Sequence, residues 1–236
     1  MHRRTPVFFV ASPRPRVGKT LLARVLADYF RTDDRVIAAF DVNPDAFALV
    51  DHLPAFTAVA SVHDTKDQMG LFDQLVVGDE VPKIVDIGQA VFDRFFSVMH
   101  QIDFAYEAKR RSVAPVVLFI ADPDRRSQQA YAMLRHRFAD LALVPVLNEA
   151  VPVVSRYRDN FPPTPTGGPP LNIPALAAVI KGVIERPGFS FAAYSAKATD
   201  TTTELYGWIR HVFVEFRGLE LRMMLEELKP ELKFSA

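Results

Sequence analysis

The sequence predicts an α/β fold with a mainly parallel sheet and helices on both of its faces. Short apolar runs alternate along the chain with segments in which apolar residues recur every three or four positions, the pattern of strands alternating with helices. The apolar runs lack polar alternation, as expected for strands that are covered on both faces. The length of 236 residues suits one sizeable domain, so we expect a single domain over residues 1–236.

Five apolar runs are predicted to be strands, and four segments with helical periodicity lie between them, which together give the core of the domain over about residues 5–150. The predicted strands are residues 6–11, 36–41, 83–87, 116–121 and 141–146. The predicted helices are residues 20–30, 68–77, 91–102 and 126–138. Residues 56–62 fit either a further short strand or an extended loop.

The composition changes after the fifth predicted strand. Residues 159–174 contain six prolines and two glycines, which excludes a continuous helix or a central strand there. C-terminal helices are expected over residues 175–236: one at 175–185, then a short stretch at 189–193, then a long helix from about residue 202. Apolar residues of that helix share one stripe, for which we expect core packing, with a partner or membrane-surface contact as the alternative. The stripe consists of Leu205, Trp208, Ile209, Val212, Phe213, Phe216 and Leu219.

Composition excludes several classes of protein. The chain has no cysteine, which excludes disulfides, thiolate zinc sites and cysteine nucleophiles. Its 28 basic and 28 acidic residues argue against a globally basic nucleic-acid binder, although a local basic patch stays open. No apolar run approaches the ~20 residues that cross a bilayer. The N-terminal apolar run at residues 6–11 is shorter than the roughly 7–15 residues of a secretory signal, so a cytoplasmic protein is expected.

The strongest functional signal is Gly18-Lys19-Thr20, which follows the first predicted strand and opens the first predicted helix. At this position backbone N–H groups and the positive end of the helix dipole point at an anion. Lys19 would reach the outer phosphates of a nucleotide, and the Thr20 hydroxyl would coordinate Mg²⁺. The neighbours Val17 and Leu21 complete the predicted nucleotide-binding segment.

The loop departs from the full phosphate-binding pattern. Pro13 stands five positions before Gly18, where the pattern has glycine. Pro13 and Pro15 offer no N–H donor and fix φ near −65°. Arg14 and Arg16 add guanidinium groups, which pair well with phosphate oxygens. The alternative interpretation is a basic turn in a fold whose nucleotide site has decayed.

Three further polar residues follow the ends of predicted strands. Asp41, at the end of the second strand, is placed to hold a metal-bound water. Asp86 closes the third strand in the form of a Walker B site, which polarises the Mg²⁺ sphere. Asn148 follows the fifth strand, and its amide offers the donor and acceptor that adenine requires. Each alone is also compatible with an ordinary turn or strand end. The prediction rests on all four signals meeting at the carboxyl edge of a parallel sheet.

These motifs resemble the ParA/MinD family of deviant Walker P-loop ATPases, which includes partition, cell-division positioning and conjugal-transfer members. The family's loop reads K-G-G-V-G-K-T, and residues 14–20 here read R-P-R-V-G-K-T. Its second strand ends D-x-D-P, and residues 41–44 read D-V-N-P. The family's aspartate after the third strand and asparagine after a later strand are matched by Asp86 and Asn148. The order and spacing agree over about residues 5–150.

The resemblance implies a P-loop NTPase fold, ATP and Mg²⁺ as cofactors, a homodimer in the nucleotide-bound state and action on a protein partner. Arg14 takes the position of the signature lysine, which in the family reaches the partner's phosphates across an ATP-sandwiched dimer. Asn43 replaces the second, hydrolysis-linked carboxylate and cannot act as a base, so hydrolysis is expected to be slow or absent.

The resulting candidates fall into three groups. The catalytic candidates are Arg14, Lys19 and Asp41. The metal candidates are Thr20, Asp41 and Asp86. The nucleotide-binding candidates are Arg14, Arg16, Val17, Gly18, Lys19, Thr20, Leu21 and Asn148.

Other functions stay open at this level. Prolines in the phosphate loop and Asn43 favour a non-catalytic scaffold of the same fold, a pseudo-ATPase that works through protein contacts. A small-molecule kinase or ligase on a P-loop fold is a further alternative, although no substrate pocket can be recognised. Basic runs at residues 109–111 and 125–126 could form a face for DNA, but solvated helix ends are the simpler interpretation.

Overall fold

The computed structural model describes residues 4–43, 48–152 and 157–232, and within them the chain forms a seven-stranded, all-parallel sheet. The predicted α/β class with a parallel sheet is therefore confirmed. The order across the sheet is β3-β2-β4-β1-β5-β6-β7. The strands are β1 (Thr5–Ala11), β2 (Ala38–Val42), β3 (Thr57–Val59), β4 (Lys83–Ile87), β5 (Val113–Ile120), β6 (Ala142–Asn148) and β7 (Leu171–Ile173).

Helices connect these strands and cover both faces of the sheet. They are α1 (Lys19–Arg31), α2 (Ala48–His52), α3 (Thr65–Leu75), α4 (Phe92–Gln101), α5 (Phe104–Arg110), α6 (Arg125–Arg137), α7 (Tyr157–Asn160), α8 (Ala178–Ile184), α9 (Phe191–Lys197) and α10 (Glu204–Leu232). The five strands and four helices predicted within the first 150 residues are all present, with ends that differ by at most three residues.

Three short elements lie in segments whose structure the sequence left open. The segment at residues 56–62 contains β3, so the strand alternative is correct for its central residues. The Pro-rich segment ends in β7, an edge strand next to β6, where prolines beside a strand are tolerated. The unassigned stretch at 189–193 lies mainly in α9, whose first turn is capped by the Ser190 hydroxyl accepting from Ala193 N at 3.1 Å.

Two apolar layers lie on the two faces of the sheet. Side chains of α3, α4, α5 and α6 cover one face, and side chains of α1, α2, α8, α9 and α10 cover the other. The first layer is rich in phenylalanine: the Phe9 ring lies 5.6 Å from Phe95 and 5.7 Å from Phe104, both edge-on. Such edge-to-face contacts add to the free energy of burying the rings.

The apolar stripe of α10 packs in the core as predicted. Six of its seven residues are buried, and Phe213 is partly buried against the ring of Tyr29 at 5.5 Å. Trp208 is fixed by its indole Nε1, which donates to the Pro174 carbonyl at 2.7 Å. None of the helices in the described ranges combines the length and apolar character needed to cross a membrane.

The strand order determines where a ligand site is expected. β1 lies between β4 and β5. The chain leaves β1 toward β2 on one side, whereas it leaves β5 toward β6 on the other side. A crevice therefore forms at the carboxyl ends of β1 and β5, the switch point at which open α/β sheets bind ligands.

Candidate functional site

The loop between β1 and α1 ends in backbone conformations that favour glycine. Gly18 caps α1 with φ 95° and ψ 21°, and a Cβ at this position would lie 2.7 Å from Asn148 Nδ2. Glycine is required here for both reasons. Arg16 also has a positive φ of 57°, at a position where the ParA/MinD pattern has glycine. The loop therefore contains two residues in the left-handed conformation, Arg16 and Gly18.

The N terminus of α1 lacks a side-chain cap, and its first turn contains no acidic residue. The Gly18 carbonyl accepts the first intrahelical bond from Leu22 N at 2.9 Å. In a 13-residue helix the preceding amides and the helix dipole create positive potential at this end.

Lys19 is bent back over the loop. Its Nζ donates to the Arg14 carbonyl at 2.6 Å. Burial lowers the pKa of Lys19, and the nearby carboxylates of Asp86 and Asp122 oppose that shift. The ammonium group therefore lies between the loop backbone and two acidic strand ends.

Thr20 and Asp86 form the tightest contact between the motifs. The Thr20 hydroxyl donates to Asp86 Oδ2 at 2.6 Å, which joins the start of α1 to the end of β4. Burial raises the pKa of the Asp86 carboxyl to about 6, and the Asp41 charge adds to this, while the Thr20 hydrogen bond and Lys19 act in the opposite direction.

Asp41 lies beside Asp86 in the sheet, since the two are register partners on β2 and β4. Its Oδ2 accepts from the backbone N–H groups of Leu49 at 2.9 Å and Val50 at 3.3 Å. Its Oδ1 is buried and has no hydrogen-bond partner among the described residues. Burial raises the pKa of this carboxyl. One oxygen therefore positions α2 and the other is left for a proton, water or cation.

These oxygens fit a magnesium ion that is shared with phosphate. Mg²⁺ keeps several waters and is usually held by one or two carboxylates plus substrate phosphates. Thr20 and Asp86, with the orphaned Asp41 Oδ1 nearby, supply such a set. Among the residues that the structure describes, no three His, Asp or Glu side chains group closely enough to hold a metal by themselves.

The two asparagine positions differ in their surroundings. Asn43 lies against the end of β4, where a Cβ on Gly88 would approach its Oδ1 to 2.8 Å. Pro44, which completes the D-V-N-P run, belongs to residues 44–47, which lie outside the described residues. Asn148 anchors the phosphate loop, because its Nδ2 donates to the Val17 carbonyl at 2.8 Å and its Oδ1 accepts from Ala150 N at 3.0 Å. Contact of Asn148 with adenine stays a prediction.

The remaining loop residues divide into exposed cations and apolar anchors. Arg14 is exposed and its Nη1 lies 3.4 Å from Asp124 Oδ2, across the crevice between β1 and β5. Arg16 is also exposed. Val17 is buried and Leu21 is partly buried in the apolar layer, so their contribution to ligand binding would come from the backbone.

One acidic residue of this edge, Asp122, is not among the predicted candidates. Asp122 is buried directly after β5, where it accepts from the Ser127 hydroxyl at 2.5 Å and from Asp124 N at 2.8 Å. An apolar strand that ends in aspartate is the signal that identified Asp86, and the same signal occurs here.

The structure does not bring the two basic runs together. Residues 109–111 lie at the end of α5, before β5 begins, whereas residues 125–126 open α6 after β5 ends. The runs therefore lie at opposite edges of the sheet. Arg110 and Arg111 both pair with Glu107 of their own helix, which supports solvated helix ends.

Fold and site together define a three-layer α/β protein whose β1–α1 loop lies at the switch point of a parallel sheet. Comparison with protein-family models finds no match, and comparison with curated proteins finds none either.

Proposed function

We propose that the chain is a nucleotide-binding protein of the ParA/MinD kind, which binds ATP with Mg²⁺ in the β1–α1 loop. The observation that carries this proposal is the 2.6 Å hydrogen bond from Thr20 to Asp86 beside the uncapped N terminus of α1. A hydroxyl and a buried carboxylate next to an anion site are what a magnesium–phosphate complex requires.

Each residue at the edge has a role in this proposal. The amides at the start of α1 bind phosphate oxygens, and Lys19 exchanges the Arg14 carbonyl for the outer phosphates. Thr20 and Asp86 hold the ion, and Asp41 orients a water beside it. The bound Mg²⁺ supplies charge neutralisation at the phosphates.

The proposed activity is that of a switch with slow hydrolysis. Asn43 offers no carboxylate to assist an attacking water, so turnover is slow. Arg14 is held by an exposed ion pair to Asp124 at 3.4 Å, which contributes little stability and is easily exchanged for a phosphate of a second subunit. Nucleotide binding would then control a homodimer that acts on a protein partner.

A second candidate is a non-catalytic scaffold of the same fold. The contact that favours it is the 2.6 Å hydrogen bond from Lys19 Nζ to the Arg14 carbonyl, which occupies the main phosphate ligand within the loop itself. Pro13 and Pro15 also remove two backbone donors from the loop.

Thermal denaturation with and without saturating ATP and Mg²⁺ separates the two candidates. A ligand at 100 times its Kd adds about 2.7 kcal/mol to the free energy of unfolding, and about 2–4 °C of Tm accompanies each kcal/mol for a chain of this size. We expect a clear upward shift for the wild type and for the control Lys109→Ala, and a lost or reduced shift for Lys19→Ala. An unchanged wild-type Tm would support the scaffold and reject the nucleotide switch.

A further inference from the structure

Helix α10 carries a second apolar ridge on the side opposite its buried stripe. Val214, Leu221 and Leu225 are 64%, 52% and 59% exposed, although large apolar side chains at the surface are usually scattered singly. At 100° per residue, positions 214, 218, 221 and 225 lie about 180° from the buried position Phe216. We call these four residues the α10 ridge.

The ridge has the spacing of a coiled-coil seam. Its members are separated by four, three and four positions, which is the alternation that places side chains between two packed helices. Gly218 belongs to it, and a Cβ there would meet only Arg222 Nη1 at an ordinary 3.6 Å. Glycine costs a helix interior about 1 kcal/mol relative to alanine, and no contact within the chain requires it. A glycine in a seam allows another helix to approach closely.

The charged residues beside the ridge would pair with opposite charges of a second α10 in only one helix orientation. Glu215 and Arg222 lie on one flank, and Arg217 lies on the other. Glu215 Oε2 accepts from Asn172 N at 3.1 Å, so a contact with a second copy would use its Oε1. In an antiparallel pair, Glu215 lies opposite the partner subunit's Arg222, and the same contact occurs twice by symmetry. In a parallel pair, Arg217 would lie opposite the partner subunit's Arg222, and like charges repel. The antiparallel orientation is favoured.

Arg222 lies beside the ridge on the flank that faces the Pro-rich loop. Its side chain bends over the Pro-rich loop, where a Cβ on Gly168 would lie 2.9 Å from Arg222 Nε. Within the described part of the chain, its Nε and Nη2 are buried without a hydrogen-bond partner, and burial lowers the pKa of this guanidinium. The Glu215 carboxylate of the same chain favours the charged form and opposes this shift. Arg222 Nη1 lies on the ridge side, 3.6 Å from a Cβ placed on Gly218, and it is this nitrogen that a carboxylate of a second copy would meet.

We propose that the α10 ridge is a homodimer interface in which two copies of α10 pack antiparallel. Gly218 then faces the partner subunit's Leu221, Val214 faces the partner subunit's Leu225, and Glu215 pairs with the partner subunit's Arg222. In the two central layers Gly218 faces the partner subunit's Leu221, and the absent side chain lets the helices approach closely. In the two outer layers Val214 and the partner subunit's Leu225 bury the exposed apolar surface.

This interface is separate from the phosphate loop. The first turns of α10 lie near the end of β7 through the Trp208–Pro174 hydrogen bond. Farther along, Met223 and Glu227 line a small cavity with Arg4 and Pro6 at the start of β1. The ridge therefore lies toward the amino edge of the sheet, so this dimer forms without nucleotide and does not depend on the function proposed above.

The oligomeric state in the absence of nucleotide tests the interface. Light scattering after gel filtration is expected to give twice the mass of one chain for the wild type, and a monomer for the double variant Leu221→Glu/Leu225→Glu. The matched control Val179→Glu changes another exposed valine, 83% accessible in α8, and should stay dimeric. An unchanged circular dichroism spectrum excludes misfolding of the monomeric variant, and its Tm should no longer depend on protein concentration.

Engineered cysteines test the orientation, because the chain has none of its own. Oxidation of the double variant Gly218→Cys/Leu221→Cys is expected to give a disulfide-linked dimer, whereas Leu221→Cys alone is not. A disulfide from Leu221→Cys alone would overturn the antiparallel arrangement. A monomeric wild type, a dimer that survives the glutamate substitutions, or binding to phosphatidylserine vesicles that these substitutions abolish would each overturn the interface.

Discussion

Burial of the ionised Asp86 carboxyl lowers the stability of the fold. Its carboxyl is buried beside Asp41, its register partner on the next strand, and only the Thr20 hydroxyl and Lys19 counteract the burial. Desolvation of a carboxylate next to a second carboxylate costs free energy. Such local conflicts are expected where a side chain is retained for function.

The raised pKa of Asp86 predicts how stability depends on pH. The folded-state pKa of Asp86 is about 6 against the ordinary value of 3.8 for an aspartate, so the folded state binds the proton more tightly. The free energy of unfolding therefore falls as pH rises from about 4 to 6, and the full cost is present above pH 6. Asp86→Asn should raise the free energy of unfolding by up to about 3 kcal/mol at pH 8.

Urea unfolding of Asp86→Asn and wild type at pH 8 and pH 4 measures this difference. We expect a stabilised variant at pH 8 and near-equal stabilities at pH 4, where both forms of the site are neutral. Equal stabilities at both pH values would show that Asp86 is not destabilised by its surroundings.

Gly18 offers a second test at a single residue. Gly18→Ala places a Cβ 2.7 Å from Asn148 Nδ2 at a φ of 95°, and the left-handed conformation alone costs about 1–2 kcal/mol. Denaturant unfolding should show a loss of at least this size, partly recovered in Gly18→Ala/Asn148→Ala because the clash is removed. Gly70→Ala is the control, since nothing lies within 4 Å of its Cβ position, and it should be neutral or stabilising. A Gly18→Ala variant as stable as wild type would contradict the described loop.

At the scale of elements, the Pro-rich segment shows how a chain without regular structure covers the sheet. The Thr164 hydroxyl accepts from Leu143 N at 3.0 Å and Gly167 N at 3.1 Å, and lies 3.2 Å from the Leu141 carbonyl. One side chain thereby satisfies polar groups at the start of β6, before β7 pairs with the end of that strand.

Thr164→Val should therefore destabilise the chain although valine has nearly the same shape. The substitution leaves the buried Leu143 N–H without a partner, at a cost of about 1–3 kcal/mol. The control Thr166→Val changes an exposed threonine of the same segment and should stay within about 0.5 kcal/mol of wild type. If both substitutions changed the free energy of unfolding equally in chemical denaturation, the proposed structural role of Thr164 would be wrong.

An element could be predicted from the sequence when the residues that form it also carry the pattern that predicts it. The strands and helices of the first 150 residues are readable because apolar runs and helical periodicity are local patterns. β3 and β7 contain three residues each and form only because Asp41 and Val146 lie on neighbouring strands as pairing partners.

The site follows the same rule. Gly18, Lys19 and Asp86 could be predicted as candidates because each stands in a motif at the end of a predicted strand. The capping of α2 by Asp41 and the Asn148–Val17 hydrogen bond are not, because each joins segments that only the fold brings together.

At the scale of the molecule, the sheet separates two surfaces with different chemistry. The carboxyl edge carries the β1–α1 loop and the acidic strand ends beside it, whereas the α10 ridge lies toward the amino edge. The proposed α10 dimer and the proposed nucleotide binding therefore involve different edges of the sheet and can be tested separately.

The slow-hydrolysis part of the proposed function predicts a gain of activity. Asn43→Asp restores the carboxylate of the D-x-D-P pattern at the end of β2, and a positioned general base contributes about 10²–10⁴-fold. We expect phosphate release from ATP to accelerate at least about tenfold toward that range. The control Asn172→Asp changes an exposed asparagine of β7 and should have no effect. An unchanged rate of phosphate release in Asn43→Asp would show that the residue at position 43 does not limit hydrolysis.

The central claim is that the β1–α1 loop binds a triphosphate, and calorimetric titration with ATP measures this directly. The wild type and Lys109→Ala should bind in the presence of Mg²⁺ with a Kd of about 1 mM or lower, equivalent to about −4 kcal/mol or better. Lys19→Ala should lose at least about tenfold in affinity, or about 1.4 kcal/mol. Absence of binding by the folded wild type at millimolar ATP and Mg²⁺ would contradict the account.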